Sequence, residues 1–171
     1  MTFPAVRAVD DLRWLRLACD LARRCPPSRT AFSVGAVVVD ARGAEIARGF
    51  SRADDPHDHA EEAALAALAR RHGGAAAADL PALPGTGLAG ATIYTSLEPC
   101  GERSSRPLPC GDLIAAAGVG RVVFAWREPP LFVRDPGGGT DRLRAHGVEV
   151  VELPELADRA RAPNAHLLGQ P

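Results

Sequence analysis

The sequence predicts a three-layer α/β/α domain built on a mixed sheet of five strands. Helix-like and strand-like patterns alternate about every dozen residues along the chain. An early hairpin turn favours one antiparallel pair, and the later strands alternate with helices, which favours parallel pairing. With 171 residues, of which 46% are hydrophobic, the chain is long enough to bury one core. We therefore expect a single domain over residues 1–171.

The first half of the chain predicts a helix, a β-hairpin and a second helix. The first helix has an apolar stripe with the spacing i, i+3, i+4, i+7, formed by Trp14, Leu17, Ala18 and Leu21. Residues 33–40 and 44–50 are typical of two strands, and residues 41–43 between them are typical of a turn. Residues 59–71 are rich in alanine and end before two glycines, which predicts a helix.

The second half predicts three strands separated by helices. It begins with residues 73–90, an Ala-, Gly- and Pro-rich stretch that we expect to form a surface excursion. The expected elements after it are, in order, a strand at 91–96, a helix at 110–117, a strand at 121–126, a helix ending at 146, a strand at 148–152 and a C-terminal helix.

The overall composition argues against several classes of partner. A formal net charge of -1 and an aromatic content of 5% leave no basic, aromatic-rich groove for nucleic acid. The N-terminal residues carry charges every few positions, so they predict neither a signal peptide nor a membrane span. We therefore expect a cytoplasmic protein, with no nucleic-acid or membrane partner, whose cysteines stay reduced.

The four cysteines fall into two pairs with different expected roles. Cys19 flanks the apolar stripe of the first helix and Cys25 lies at its end, so we expect both to be structural. Cys100 follows a proline after the third strand, and Cys110 begins the next predicted helix. Thiols close to a helix N-terminus have lowered pKa values, which favours the thiolate that binds metals.

His59, Cys100 and Cys110 together match the ligand set of a catalytic zinc site. Such a site takes three protein ligands and keeps one position for water. Glu61 comes two residues after His59, close enough to act as the catalytic general acid and base without binding the metal. His-x-Glu followed by Pro-Cys and a second cysteine is the signature of zinc deaminases. The sequence therefore predicts a Zn²⁺-dependent hydrolytic deaminase.

Simpler explanations exist for each of these residues taken singly. Glu61 could close a capping box with Asp58 as N-cap, and the two thiols could merely be packed. A closed structural zinc site would need a fourth ligand, for which His57 is the nearest candidate. Deamination of bases within RNA or DNA would need a basic groove with stacking aromatic residues.

The chain resembles the cytidine-deaminase-like superfamily, and most closely the pyrimidine deaminases of riboflavin biosynthesis. The resemblance covers most of residues 30–152, and its motifs are VGAVVVD, HAE, YTSLEPC, RPLPC, LIAAAGVGRVV and GVEV. Other members of the superfamily usually place their two cysteines two residues apart. Here nine residues separate Cys100 from Cys110, and Arg106 lies four residues before the second cysteine, as in the riboflavin-type enzymes.

The resemblance implies hydrolytic deamination of a diaminopyrimidinone that carries a phosphoribosylamino group, and a homodimeric enzyme. It implies that Ser96 and Leu97 hold the base through backbone groups. Arg103 and Arg106 would then face the anionic end of the substrate, or they could be solvated loop residues. Phe32 could pack against a base, as in nucleoside deaminases. Cytidine or deoxycytidylate, and the amino heterocycle of a secondary metabolite, are alternative substrates.

The sequence departs from the riboflavin-type pattern at four points. Thr30-Ala31-Phe32 replaces Pro-Asn-Pro, and Ala63 replaces a second histidine. Asp-Pro-Asn-Pro after the fourth strand is reduced to Glu128-Pro129-Pro130, and the reductase domain usually fused to the deaminase is absent from this sequence. These differences concern the substrate more than the chemistry, and we expect a stand-alone deaminase domain.

Overall fold

The computed structural model describes residues 4–169, with side chains from residue 8 onward, and this region is organised around a mixed sheet of five strands. The strand order is β2-β1-β3-β4-β5. β1 pairs antiparallel with β2 and β3, whereas β3, β4 and β5 are parallel. The strands are Gly35–Val39 (β1), Glu45–Phe50 (β2), Thr92–Leu97 (β3), Arg121–Trp126 (β4) and Glu149–Glu152 (β5). The predicted mixed sheet, with its parallel second half, is confirmed.

Helices cover both faces of the sheet. The helices are Pro4–Ala22 (α1), Ala60–Arg71 (α2), Cys110–Ala116 (α3), Gly138–Ala145 (α4) and Ala157–Arg161 (α5). α1 and α5 contact each other and the central strands, whereas α2 contacts β1, β2 and α3, and α3 contacts α4. These contacts give the expected three layers. Both β1 and β4 are buried along their whole length, as expected of central strands covered on two faces.

Three of the four residues of the predicted α1 stripe, Trp14, Ala18 and Leu21, are buried. Leu15, Ala18 and Cys19 are fully buried, whereas Leu17 is only half-buried. The face that meets the sheet is therefore centred on Leu15 and Ala18, and Cys19 lies inside the core rather than beside it. Periodicity alone could not distinguish the two registers because leucines occupy both sides of the stripe.

Two further segments differ from the prediction. Residues 73–90 contain a 3₁₀ helix, Ala77–Ala82, and bury Leu80 and Leu88, so this stretch is partly packed rather than a free excursion. The predicted C-terminal helix is broken into α5 and a 3₁₀ turn, Ala162–Leu167, that has Pro163 in its first turn. A proline lacks the amide hydrogen that a continuing α-helix needs. Within residues 4–169, no helix has the length and apolar character needed to cross a membrane.

Candidate active site

His59, Cys100 and Cys110 lie where three structural elements meet. His59 is the N-cap of α2, and Cys110 is the first residue of α3. Cys100 follows the end of β3, and its carbonyl oxygen accepts a hydrogen bond from the amide of Gly111, at 3.1 Å. Two helix N-termini and one strand end therefore hold the three side chains.

The three ligand atoms are spaced as a zinc ion requires. The sulfurs of Cys100 and Cys110 lie 3.5 Å and 3.4 Å from Nδ1 of His59, and all three atoms lie within 4.8 Å of one another. Tetrahedral zinc with its usual bond lengths to nitrogen and sulfur separates these two ligand types by about 3.5 Å. The donor set and its geometry therefore fit Zn²⁺.

The two thiols have opposite pKa shifts because they are hydrogen-bonded to each other. Hydrogen bonding from Cys110, reinforced by His59, lowers the pKa of Cys100. Donating that bond, together with burial, raises the pKa of Cys110. The amide of Cys110 also donates to the sulfur of Cys100, at 3.3 Å. Cation binding to such a pair releases a proton and is therefore favoured as the pH rises.

Glu61 lies in the first turn of α2 and is almost entirely buried. Its Oε1 accepts a hydrogen bond from the hydroxyl of Thr95, at 2.8 Å. Burial raises the pKa of the Glu61 carboxyl, so this group takes up a proton more readily than an exposed glutamate does. The alternative capping box is wrong: the N-cap is His59 rather than Asp58, and it forms no side-chain cap.

His57, the alternative fourth ligand, lies outside the metal-ligand cluster. Its side chain lines the neighbouring cavity, but the cluster within 4.8 Å consists of His59, Cys100 and Cys110. Three protein ligands beside an accessible cavity are typical of a catalytic zinc site, whereas structural sites are closed by four.

A cavity of about 570 Å³ opens beside this cluster. Phe32, Leu97 and Arg103 line it, as do His59, Glu61 and Cys100. Ser96 lies outside the lining; it is buried, and its Oγ accepts a hydrogen bond from the amide of Gly35 at 3.2 Å. The structure therefore brings Phe32, Leu97 and Arg103 to the metal-ligand cluster and leaves the Ser96 side chain between strands.

Arg103 and Arg106 occupy different environments although both contact Glu62. Arg106 forms ion pairs with Asp55, Asp58 and Glu62 and does not line the cavity. The side chain of Arg103 is 2% exposed, and its Nη2 lies 2.7 Å from Oε2 of Glu62. Within residues 4–169, its Nη1 is a buried donor that lacks a hydrogen-bond partner. Arg103 thus retains a donor for a ligand, whereas Arg106 is engaged by carboxylates.

Sequence reasoning missed three residues of the site. Thr95, which donates to Glu61, occupies a buried strand position where its hydroxyl needs a partner, and this is the one available signal. Glu98 and Glu128 line the cavity. Burial, aided by the nearby charges of Cys100 and Glu98, raises the pKa of Glu128 to about 8. No spacing rule indicates that these two loop carboxyls meet.

Glu98 fixes the loop between β4 and α4. Its Oε2 accepts a hydrogen bond from the amide of Glu128, at 3.1 Å, and its Oε1 accepts one from the hydroxyl of Thr140. The start of α4 also packs tightly against the segment that carries Cys100. A Cβ on Gly139 would lie 1.7 Å from the carbonyl oxygen of Pro99, so only glycine fits there.

A family model described as the cytidine and deoxycytidylate deaminase zinc-binding region matches residues 8–126. The chain is 34% identical over 135 residues to the diaminohydroxyphosphoribosylamino-pyrimidine deaminase of Schizosaccharomyces pombe, covering 79% of this chain and 30% of that protein. It is 36% identical over 146 residues to the riboflavin biosynthesis protein RibD of Aquifex aeolicus, covering 82% and 34%. The chain thus spans about a third of the length of these curated relatives.

Solved structures of the same group share the fold. RibD of Acinetobacter baumannii superposes with a TM-score of 0.70 at 28% identity, covering 95% of this chain and 40% of that one. The Rib2 deaminase of Aspergillus oryzae, as a C-terminal deletion mutant, gives a TM-score of 0.71 at 25% identity, covering 92% and 98%. The match therefore corresponds to one part of RibD and to nearly all of the truncated Rib2 deaminase.

Proposed function

The chain belongs to the family defined by the cytidine and deoxycytidylate deaminase zinc-binding region, and on that premise we propose that it catalyses the hydrolytic deamination of a small aminopyrimidine. The first candidate substrate is the diaminopyrimidinone with a phosphoribosylamino group that gives the fission-yeast relative its name. The observation that carries the proposal is the convergence of His59, Cys100 and Cys110 beside the buried carboxyl of Glu61.

In the proposed reaction, water adds to the ring carbon that bears the amino group, and the C–N bond breaks as ammonia leaves. When bound by the three ligands, a zinc ion would supply Lewis-acid activation of water. Glu61 takes a proton from the attacking water and delivers it to the departing amino group. Thr95 orients Glu61 through the hydrogen bond to Oε1.

The cavity residues divide substrate recognition between the base and its substituent. Phe32 offers an apolar ring to the base, and we expect backbone groups of Leu97, which lines the cavity, and of its neighbour Ser96 to hold the base. Arg103 offers its unpartnered Nη1 donor to an anionic group. Arg106 does not contact the substrate itself. It forms an ion pair with Glu62, which also pairs with Arg103, and thereby helps to position Arg103.

The proposal is tested by measuring ammonia release from zinc-loaded protein. The panel contains diaminopyrimidinones and cytosine derivatives, each with and without ribose and phosphate. We expect turnover of at least one member, and we expect Glu61→Gln to lower kcat by about 100-fold or more while one zinc per chain is retained. Glu155→Gln, an exposed glutamate outside the cavity, is the matched control. No ammonia from any compound, or full activity in Glu61→Gln, would refute the proposal.

A cytidine or deoxycytidylate substrate is the second candidate. It is favoured by the segment Thr30-Ala31-Phe32, which stands in place of the Pro-Asn-Pro of the riboflavin-type enzymes and whose Phe32 lines the cavity. Turnover confined to the cytosine half of the panel would select this candidate and leave the mechanism unchanged. The amino heterocycle of a secondary metabolite is tested by extending the same panel.

The remaining parts of the proposal concern the working form of the protein. We expect a single deaminase domain that forms a homodimer and acts in the cytoplasm on a small molecule. Free thiols at Cys19, Cys25, Cys100 and Cys110 agree with a reducing compartment. Sedimentation velocity of the zinc-loaded protein tests the dimer, and a monomer at micromolar concentration would remove that part of the proposal.

A further inference from the structure

Three aromatic rings form a row that leads from the core to the mouth of the cavity. The ring of Phe32 lies 5.3 Å from that of Trp126 and 4.9 Å from that of Phe132, with interplanar angles of 72° and 61°. Both contacts have the edge-to-face geometry that aromatic pairs prefer. Trp126 and Phe32 are buried, whereas Phe132 is 43% exposed. The row therefore ends in a ring that still has apolar surface to cover.

Phe132 and its neighbour Leu131 are similarly exposed but face different surroundings. Phe132 lines the active-site cavity together with Phe32 and Glu61, whereas Leu131, 49% exposed, does not. Leu131 lines a shallower hollow beside His166, which Phe132 also borders. Of the three non-proline apolar residues in the loop between β4 and α4, Phe132 and Val133 line the cavity and Leu131 does not.

Long-range hydrogen bonds hold the backbone at Phe32 and at the residue after it. Its carbonyl oxygen accepts a bond of 2.8 Å from Nη1 of Arg52. The next residue, Ser33, is bound through its amide and its carbonyl to the side chain of Asn164, at 2.6 Å and 2.9 Å. Arg52 itself has a φ of 60°, a conformation that a non-glycine residue keeps only when its surroundings require it. These hydrogen bonds therefore fix the position of Phe32, and the ring of Phe132 packs against the ring of Phe32.

We propose, resting on the function proposed above, that Phe132 is a specificity-determining residue whose ring packs on the substrate base together with Phe32. A flat heteroaromatic ring that enters the cavity would cover the exposed face of Phe132 and become the next ring in the aromatic row. This contact exists equally in the bound substrate and in the transition state, because the ring of the base remains in place while its amino group is exchanged. Such uniform binding changes KM and leaves kcat nearly unchanged.

The first test compares Phe132→Ala with Leu131→Ala, using the best substrate of the aminopyrimidine panel. We expect Phe132→Ala to raise KM about tenfold with kcat within about threefold of wild type, and Phe132→Tyr to restore KM. Leu131→Ala should match wild type, and all variants should hold one zinc per chain. An unchanged KM in Phe132→Ala, or an equal rise in Leu131→Ala, would overturn the assignment. Absence of turnover in the wild type would instead refute the proposed function.

The second test detects the contact without turnover. Phe132→Trp and Leu131→Trp are each combined with Glu61→Gln, and tryptophan fluorescence is followed while the same substrate is added. We expect a saturable quench or blue shift that is larger for the tryptophan at position 132 than for the one at position 131. Equal changes in the two proteins would show that the ring at position 132 does not meet the base, whatever the activity of the wild type.

Discussion

Two parts of the cavity are held in place by different kinds of structure: its floor, which is the metal-ligand cluster, and its rim, which is formed by Phe32 and Phe132. On the floor, His59, Cys100 and Cys110 sit at a helix cap, just after a strand, and at a helix start, and all contact one another directly. On the rim, Phe32 and Phe132 lie in loops, and their positions depend on partners far away in sequence. The difference suggests that the floor carries the chemistry common to the family, whereas the rim carries the choice of substrate.

The same contrast separates the two arginines of the long loop between the cysteines. Arg106 matches the family pattern but is occupied by three carboxylates. Arg103 lines the cavity, and within residues 4–169 its Nη1 lacks a hydrogen-bond partner. The resemblance pointed to both arginines, and the contacts of each side chain distinguish the one that lines the cavity from the one that does not.

The largest expected effect comes from breaking the floor. Loss of a residue that hydrogen-bonds to a metal ligand, without binding the metal itself, lowers metal affinity or activity by about 10- to 100-fold. Cys110→Ser removes a ligand itself and should lower both by more than about 100-fold. Cys25→Ser is the control, because Cys25 lies outside the metal-ligand cluster and donates a hydrogen bond to the carbonyl of Val34, at 3.3 Å, which a serine can also donate. Zinc per chain and ammonia release measure the difference, and equal zinc contents would contradict the proposed ligand set.

The next largest effect is expected at Arg103, in the loop between the two cysteines. Arg103→Met should raise KM for a phosphorylated substrate about 30-fold, since hydrogen bonds to charged groups contribute about 1.5–3 kcal/mol. The unphosphorylated counterpart should respond much less. Arg106→Met also removes a cation from Glu62 but leaves the cavity lining intact, so its effect should depend on the phosphate much less than that of Arg103→Met. The measurement is steady-state kinetics on the phosphorylated substrate and its unphosphorylated counterpart. If only Arg106→Met distinguished these two substrates, Arg106 rather than Arg103 would be the phosphate contact.

A smaller effect is expected from the support of Glu61. Thr95→Val keeps the shape of the side chain but removes the hydroxyl that donates to Oε1. Kcat should fall about tenfold, corresponding to one hydrogen bond of about 1.4 kcal/mol. KM and zinc content should stay constant. Thr95→Ser retains the hydroxyl and should keep most of the activity; if it were as slow as Thr95→Val, packing rather than hydrogen bonding would be responsible.

The smallest effect on activity is expected from removing Asn164, whose side chain holds the backbone next to Phe32. Asn164 is 1% exposed and bonds to both backbone groups of Ser33. Asn164→Ala leaves these groups unpaired, which should lower the free energy of unfolding by about 2 kcal/mol and raise KM about threefold through a looser Phe32. Urea denaturation and kinetics test both effects. Arg70→Ala, which breaks an exposed ion pair with Asp54, should change stability by less than about 1 kcal/mol.

The sequence was sufficient for the floor because the floor depends on local rules. His59 and Cys110 come at predicted helix starts, and the parallel strands bring such starts to one edge of the sheet. The rim obeys no comparable rule. Asn164 lies 131 residues from Ser33 in sequence, and Phe132 follows two prolines in a stretch without periodicity. Neither contact leaves a pattern that can be recognised before the chain is folded.

The carboxylate of Glu98 has a consequence for how this protein could be redesigned. One oxygen receives the amide of Glu128 and the other receives the hydroxyl of Thr140, so a single side chain ties together both ends of the intervening loop. The interior of that loop can be exchanged or lengthened at a modest entropic cost, while its anchor points stay in register with Cys100. Grafting foreign segments between these two anchors is therefore a route to chimeras with new heterocycle preferences and an undisturbed metal centre.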